Sequence, residues 1–172
     1  MARVPAATPE FREGAQTVGN TDLNIFRALA NAPQVFRGFG DLGGRLLLRS
    51  NLAPRTREAV ILRMGALLGS DYEWGQHVVM GRAAGLGDEE IRAIRDGSLA
   101  GLTEEETAAV RYGEAVESRA VDDARWKETA RHFDDGQMVE LTVLAAFYGL
   151  VSRTLIALDV QLDDNIQGLD HP

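Results

Sequence analysis

The chain has 172 residues, enough for one domain with a real core, and its 45% apolar content argues against wholesale disorder. Eighteen basic against 26 acidic residues leave a net charge of −8, which argues against nucleic acid or an anionic membrane as the main partner, since both need a basic face. With no cysteine present, disulfides, thiolate metal sites and thiol redox relays all drop out. The absence of cysteine fits a cytoplasmic protein, as does an N-terminal stretch without the apolar segment of a signal peptide. No apolar run reads as the ~20 residues that span a bilayer.

Residues 1–20 read as an arm, because Pro5, Pro9, Gly14 and Gly19 interrupt any period. Thr8-Pro9-Glu10 has the form of a short helix start. Residues 21–160 read as one helical domain. Thr21 to Asn31 places Leu23, Phe26, Leu29 and Ala30 on one face. Pro33 starts a second helix carrying Gly38, Gly40, Gly43 and Gly44, each costing roughly 1 kcal/mol against alanine. Those glycines imply a close approach or a bend near Gly43.

Pro54 opens a third helix to about Leu68, apolar on most sides and so central. Ser70 to Glu73 has the S-x-x-E form of a capping box before a fourth helix that stops near Gly85. Asp88 is the expected cap of the next helix, which ends at Gly97. Thr103 to Glu106 is a second capping box, opening a helix to about Ser118. Asp122 or Asp123 caps a helix to His132, and Asp135-Gly136 reads as a break. Gln137 to about Val160 is the longest apolar helix, with Met138, Leu141, Leu144, Tyr148, Val151 and Leu155 on one face. Residues 161–172 form an acidic, polar tail that is expected to fray. No segment alternates with period two, so the fold class is all-α. A weak echo relates Arg57–Leu62 to Val139–Leu144, and duplicated packing explains it as well as duplicated chemistry.

Chemistry concentrates between Arg57 and Gly85. Glu73 and His77 are four apart on one predicted helix and share a face. Glu58 lies on the preceding helix, and the short break at Gly69–Asp71 folds the two helices into an antiparallel pair. A histidine between two carboxylates is an acid/base centre whose pKa carboxylates raise and burial lowers. The bland readings are that Ser70 and Glu73 cap the helix, Glu58 serves the helix dipole, and His77, Tyr72 and Trp74 are core. Spacing alone does not separate the two sets. A metal centre fits poorly, because His77 lacks a second histidine nearby and the repeated E-x-x-H of di-iron bundles is absent. No phosphate-binding glycine motif and no serine-hydrolase elbow occurs.

The pattern E-x(11)-S-D-Y-E-W-G-Q-H, from Glu58 to His77, resembles the signature of the carboxymuconolactone decarboxylase family, within the superfamily of alkylhydroperoxidase D-like proteins. Flanking matches extend the resemblance over roughly residues 20–160. It implies an alkylhydroperoxidase D-like helical bundle of about seven to eight helices, assembled as a trimer or hexamer. In the peroxidase-type relatives two cysteines stand where this chain has Ser70 and Glu73, and residues matching Glu58 and His77 form a proton relay. Serine and glutamate cannot form a disulfide, so thiol peroxidase activity is excluded.

The decarboxylase-type relatives keep glutamate and histidine without the cysteines. The expectation is a cofactor-free lyase or isomerase acting on a small carboxylated lactone or related ring. His77, Glu58 and Glu73 are its catalytic candidates, and Tyr72, Ser70 and Trp74 its substrate-binding candidates. Arg55, Arg57 and Arg63 are equal candidates for holding a substrate carboxylate. The rival readings are a non-catalytic helical oligomer that binds a small ligand in the same pocket, and a metal-dependent enzyme.

Overall fold

A computed structural model describes residues 2–10 and 22–169. Eight helices and no strand occur among them: α1 (Asn24–Leu29), α2 (Pro33–Leu48), α3 (Pro54–Leu68), α4 (Asp71–Ala83), α5 (Asp88–Asp96), α6 (Glu104–Glu117), α7 (Asp123–Thr129) and α8 (Asp135–Leu158). The predicted all-α bundle is therefore present, and the reasons for its boundaries are local. Pro54 occupies the first turn of α3, where a missing N–H costs nothing. Gly69 ends α3 at φ +69°, a left-handed conformation that glycine adopts without penalty. Thr103 and Glu106 form the reciprocal cap of α6.

The core sits around α3, which packs against α4, α5, α6 and α8. Ala59, Val60, Ile61, Leu62 and Met64 are wholly buried, so the middle of this helix is covered by its neighbours on every side. Close crossings depend on missing side chains. A Cβ on Gly65 would stand 3.2 Å from the backbone nitrogen of Trp74, so α3 and α4 meet nearly backbone to backbone. In α2 the glycines divide. Gly43 meets the ring of Phe147, whereas Gly38 and Gly40 face open space, and α2 runs through all of them as one helix.

Several boundaries differ from expectation. The first helix is shorter, Asn24–Leu29. Asp88 is the first residue of α5 rather than its cap; Gly87 holds that position and its N–H donates to Glu90 at 2.8 Å. Asp135-Gly136 is no break, because Asp134 caps α8 reciprocally with Gln137 and the helix already starts at Asp135. α8 is also long and apolar enough to cross a membrane, against the sequence expectation, but half of its apolar window is buried inside the bundle. The echo at Val139–Leu144 is packing: Glu140 accepts from Ser50 and Asn51 in the α2–α3 connection.

The tail does not fray over residues 161–169. Asp163 accepts from the backbone N–H of Asn24 at 2.8 Å, from Gln76 at 2.7 Å and from the Tyr72 hydroxyl. Leu169 N–H donates to Asp71 at 2.9 Å. The described part of the arm is tied down too, with Arg3 N–H donating to Leu158 and Ala7 N–H to Arg27. Thr8 to Glu10 is not helical, and the rest of the predicted helix start lies outside the described residues.

Candidate active site

The turn at Gly69 and the Gly65 crossing lay α4 against α3 so that Glu58 and His77 meet. Nδ1 of His77 is 2.7 Å from Oε2 of Glu58, and Nε2 is 3.0 Å from Oε1 of Glu73. Both ring nitrogens therefore face a carboxylate. All three side chains are buried, Glu58 and His77 at 1% and 6% exposure. Burial pushes the imidazolium down, but the charge and hydrogen bond of Glu58, with those of Glu73, outweigh it and hold His77 up at about 10. At neutral pH the ring is an imidazolium, hydrogen-bonded through Nδ1 to Glu58 and ion-paired through Nε2 with Glu73.

This geometry removes the cap reading of Glu73. Ser70 occupies the N-cap position of α4, yet its side chain makes no capping bond, and Glu73 turns to His77. The capping box that the sequence predicts at Ser70–Glu73 is not formed. Ser70 Oγ is instead buried without a partner, as is the indole Nε1 of Trp74. Tyr72 accepts from the N–H of Ile25 at 3.2 Å and donates to Asp163, and burial, then that bond, push its phenol well above the usual range. Its hydroxyl is thus engaged in tying α1 and the tail to α4.

Two residues complete the centre. The ring of Tyr148, from α8, stands edge-on to the His77 ring with centroids 5.1 Å apart. Burial, then the charges of Glu73 and Glu58, hold this phenol protonated, while Arg57 pulls the other way. The Tyr148 hydroxyl makes no hydrogen bond among the described residues. Arg57, on α3, reaches Glu58 Oε1 at 3.4 Å. Periodicity had placed Tyr148 only on the inward face of α8; the sole signal was a polar-tipped aromatic within an apolar stripe. Nothing in the sequence marked Asp163.

The formal charges of Glu58, Glu73, His77 and Arg57 cancel, so the centre does not repel a monoanion by net charge. Glu73 Oε2 has no partner among the described residues and remains an acceptor. Tyr148 supplies a neutral donor, and the His77–Glu73 pair holds a mobile proton. Among the described residues no group of three His, Asp or Glu side chains is arranged to hold a metal ion.

A helical bundle carrying a buried Glu–His–Glu centre on its α3–α4 hairpin has counterparts in fold among known proteins. Residues 33–115 match the carboxymuconolactone decarboxylase family. The alkylhydroperoxidase AhpD core protein from Ralstonia eutropha JMP134, a peroxidase-related protein, superposes with a TM-score of 0.75 at 22% identity, over 82% of this chain and 77% of that one. A protein from Agrobacterium tumefaciens gives 0.73 at 22% identity, over 78% and 94%. The debrominase Bmp8 in complex with 2,3,4-tribromopyrrole gives 0.71 at 19% identity, over 82% and 76%. At such identities these likenesses concern the fold. No curated protein sequence matches the chain.

Proposed function

We propose that the chain is a cofactor-free acid–base enzyme that decarboxylates or isomerises a small carboxylated lactone or related ring. The observation that carries this reading is His77 clamped between Glu58 and Glu73 at 2.7 and 3.0 Å, with no thiol in the chain to support the alternative chemistry of the fold. That a protein of this fold holds a halogenated pyrrole supports a small ring as substrate.

Decarboxylation breaks the bond between a ring carbon and its carboxylate. The electron pair passes through the ring double bond to the lactone carbonyl as CO₂ leaves. A proton must then reach carbon, and the His77–Glu73 pair delivers it and is reprotonated from water. Because His77 rests as an imidazolium, the resting base is Glu73 through Oε2, and His77 holds and returns the proton. Isomerisation uses the same groups, with Glu73 taking a proton from one carbon and the pair giving it to another. Tyr148 donates to the oxygen on which negative charge gathers.

The test follows the ultraviolet absorbance of a carboxylated unsaturated lactone together with CO₂ release. The reading expects turnover by wild type and its loss in His77→Ala and Glu73→Gln. Absence of turnover in wild type overturns the reaction, and undiminished turnover in Glu73→Gln overturns the base.

Homo-oligomerisation belongs to this reading. Val139, Val143, Ala146 and Leu150 form an exposed stripe along α8, with Val139 61% and Leu150 50% exposed, the sort of face that a second copy covers. Light scattering on a sizing column tests it, and a monomer at micromolar concentration overturns it. A cytoplasmic location is proposed on the acidic, cysteine-free composition.

A further inference from the structure

Three arginines lie on α3, and their surroundings differ sharply. Arg55 is fully engaged: Nε donates to Glu106 at 2.6 Å, and its two terminal nitrogens donate to Glu90 and to the carbonyl of Gly85. Arg63 is engaged as well, with Nε donating to Glu114 at 2.5 Å and a terminal nitrogen to the carbonyls of Ile94 and Arg95 at 3.1 and 2.9 Å. These two guanidiniums tie α3 to α5 and α6.

Arg57 is different. Its side chain is only 12% exposed, yet its one polar contact among the described residues is Nε to Glu58 at 3.4 Å, a long bond to its sequence neighbour. Among the described residues neither terminal nitrogen has a hydrogen-bond partner. They are absent from the sealed unpartnered atoms, which are Ser70 Oγ, Trp74 Nε1 and Ser152 Oγ, so they open onto accessible space. The same holds for Tyr148 Oη and Glu73 Oε2. A guanidinium kept largely out of water with its fork unfilled lacks the hydrogen bonds that such groups ordinarily find.

We propose that Arg57 is the carboxylate anchor of this site, presenting its two terminal nitrogens as a fork to a substrate carboxylate while Tyr148 donates to a neighbouring substrate oxygen. The planar fork matches a carboxylate bidentately, and the shortage of competing water strengthens the pair. Placement agrees: Arg57 contacts Glu58 and bears electrostatically on Tyr148, whose ring lies against His77, so an anion on the fork sits beside the acid–base trio. The inference deepens the lactone reading and names its anion subsite. It also constrains the carboxylate involved. A guanidinium on the departing group loses its partner as CO₂ forms and favours the ground state, so Arg57 holds a carboxylate that stays on the substrate.

The experiment needs no turnover. A saturated γ-butyrolactone bearing one carboxylate is titrated into the full chain by calorimetry, with its methyl ester as control. Wild type binds the acid and not the ester. Arg57→Gln weakens the acid by about tenfold or more, and Arg57→Lys recovers only part, because an ammonium lacks the fork. Arg82→Gln, an exposed pair with Asp88 outside the site, leaves binding unchanged. Should Arg57→Gln fail to fold, the wild-type Arg57 Nε–H resonance decides, since it shifts on adding the acid and not the ester. Equal binding of acid and ester, no binding of the acid at all, or an unmoved Arg57 resonance overturns the assignment. Binding of the acid without turnover of any unsaturated lactone leaves Arg57 in place and removes the decarboxylase reading alone.

Discussion

Glu58 on α3 and His77 on α4 meet at 2.7 Å with both side chains out of water, nineteen residues apart in the chain. The pair fixes the charge of the centre. Raising the His77 pKa from 6.5 to about 10 gives the folded state a proton affinity that the unfolded chain lacks. The stabilisation is present in full below pH 6.5 and is lost as pH rises through 10. The melting temperature should fall across that window in wild type and less in His77→Gln. The His77 ring proton, followed by NMR, should titrate near 10; a midpoint near 6.5 would refute the clamped imidazolium.

Removing one partner of this pair strands the other. Glu58→Gln leaves an imidazolium with one carboxylate in a buried site, and breaking a buried pair costs about 3 kcal/mol or more. The double variant Glu58→Gln/His77→Gln removes both charges and is expected to be more stable than the sum of the single losses predicts. Urea denaturation of the four proteins in the cycle measures this, and additivity would show that the two residues do not interact.

The α3–α4 hairpin was legible because its signals are local: Pro54 at a helix start, Gly69 at a left-handed stop, and Glu73 and His77 one turn apart. The convergence of Glu58 on His77 followed from the short break between the helices. Long-range partners were not legible. Ser70 carries a correct capping motif, but the motif has two outcomes, and tertiary contact with His77 draws Glu73 away from the cap. Asp163 lies in a stretch whose composition reads as solvent-exposed, and only the fold shows it accepting from α1 and α4. Arg55, Arg57 and Arg63 are indistinguishable in sequence because what separates them is the carboxylates on α5 and α6.

Gly75, inside the signature itself, is where the tail crosses α4. A Cβ there would lie 2.5 Å from the carbonyl oxygen of Gln167 and from the Ile166 side chain, and the first of these is backbone that must shift. Gly75→Ala should lift residues 166–169 and loosen the Asp163 contacts with Tyr72 and Gln76. Hydrogen exchange at Leu169 N–H, which donates to Asp71, should accelerate. Unchanged protection there would mean that the tail is held from elsewhere. Tyr72→Phe tests the same tether from the other side, since it leaves the buried N–H of Ile25 unpaired at a cost of about 1–3 kcal/mol.

The distance between α3 and α4 is set by Gly65, whose absent side chain lets the Trp74 backbone approach. Gly65→Ala places a methyl 3.2 Å from a backbone nitrogen, tighter than ordinary contact, and backbone cannot rotate away as a side chain can. The helices must separate by a few tenths of an ångström, with overpacking costing about 1–3 kcal/mol. Glu58 and His77 ride on opposite sides of that crossing, whereas Glu73 and His77 share α4 and move together. The substitution should therefore lengthen the Glu58 bond and spare the Glu73 one. Its signature is a His77 midpoint lowered from about 10 while the ring stays paired with Glu73. A midpoint that does not move, in a protein that is destabilised, would show that α3 carries Glu58 along and that Gly65 sets stability without setting the acid–base centre.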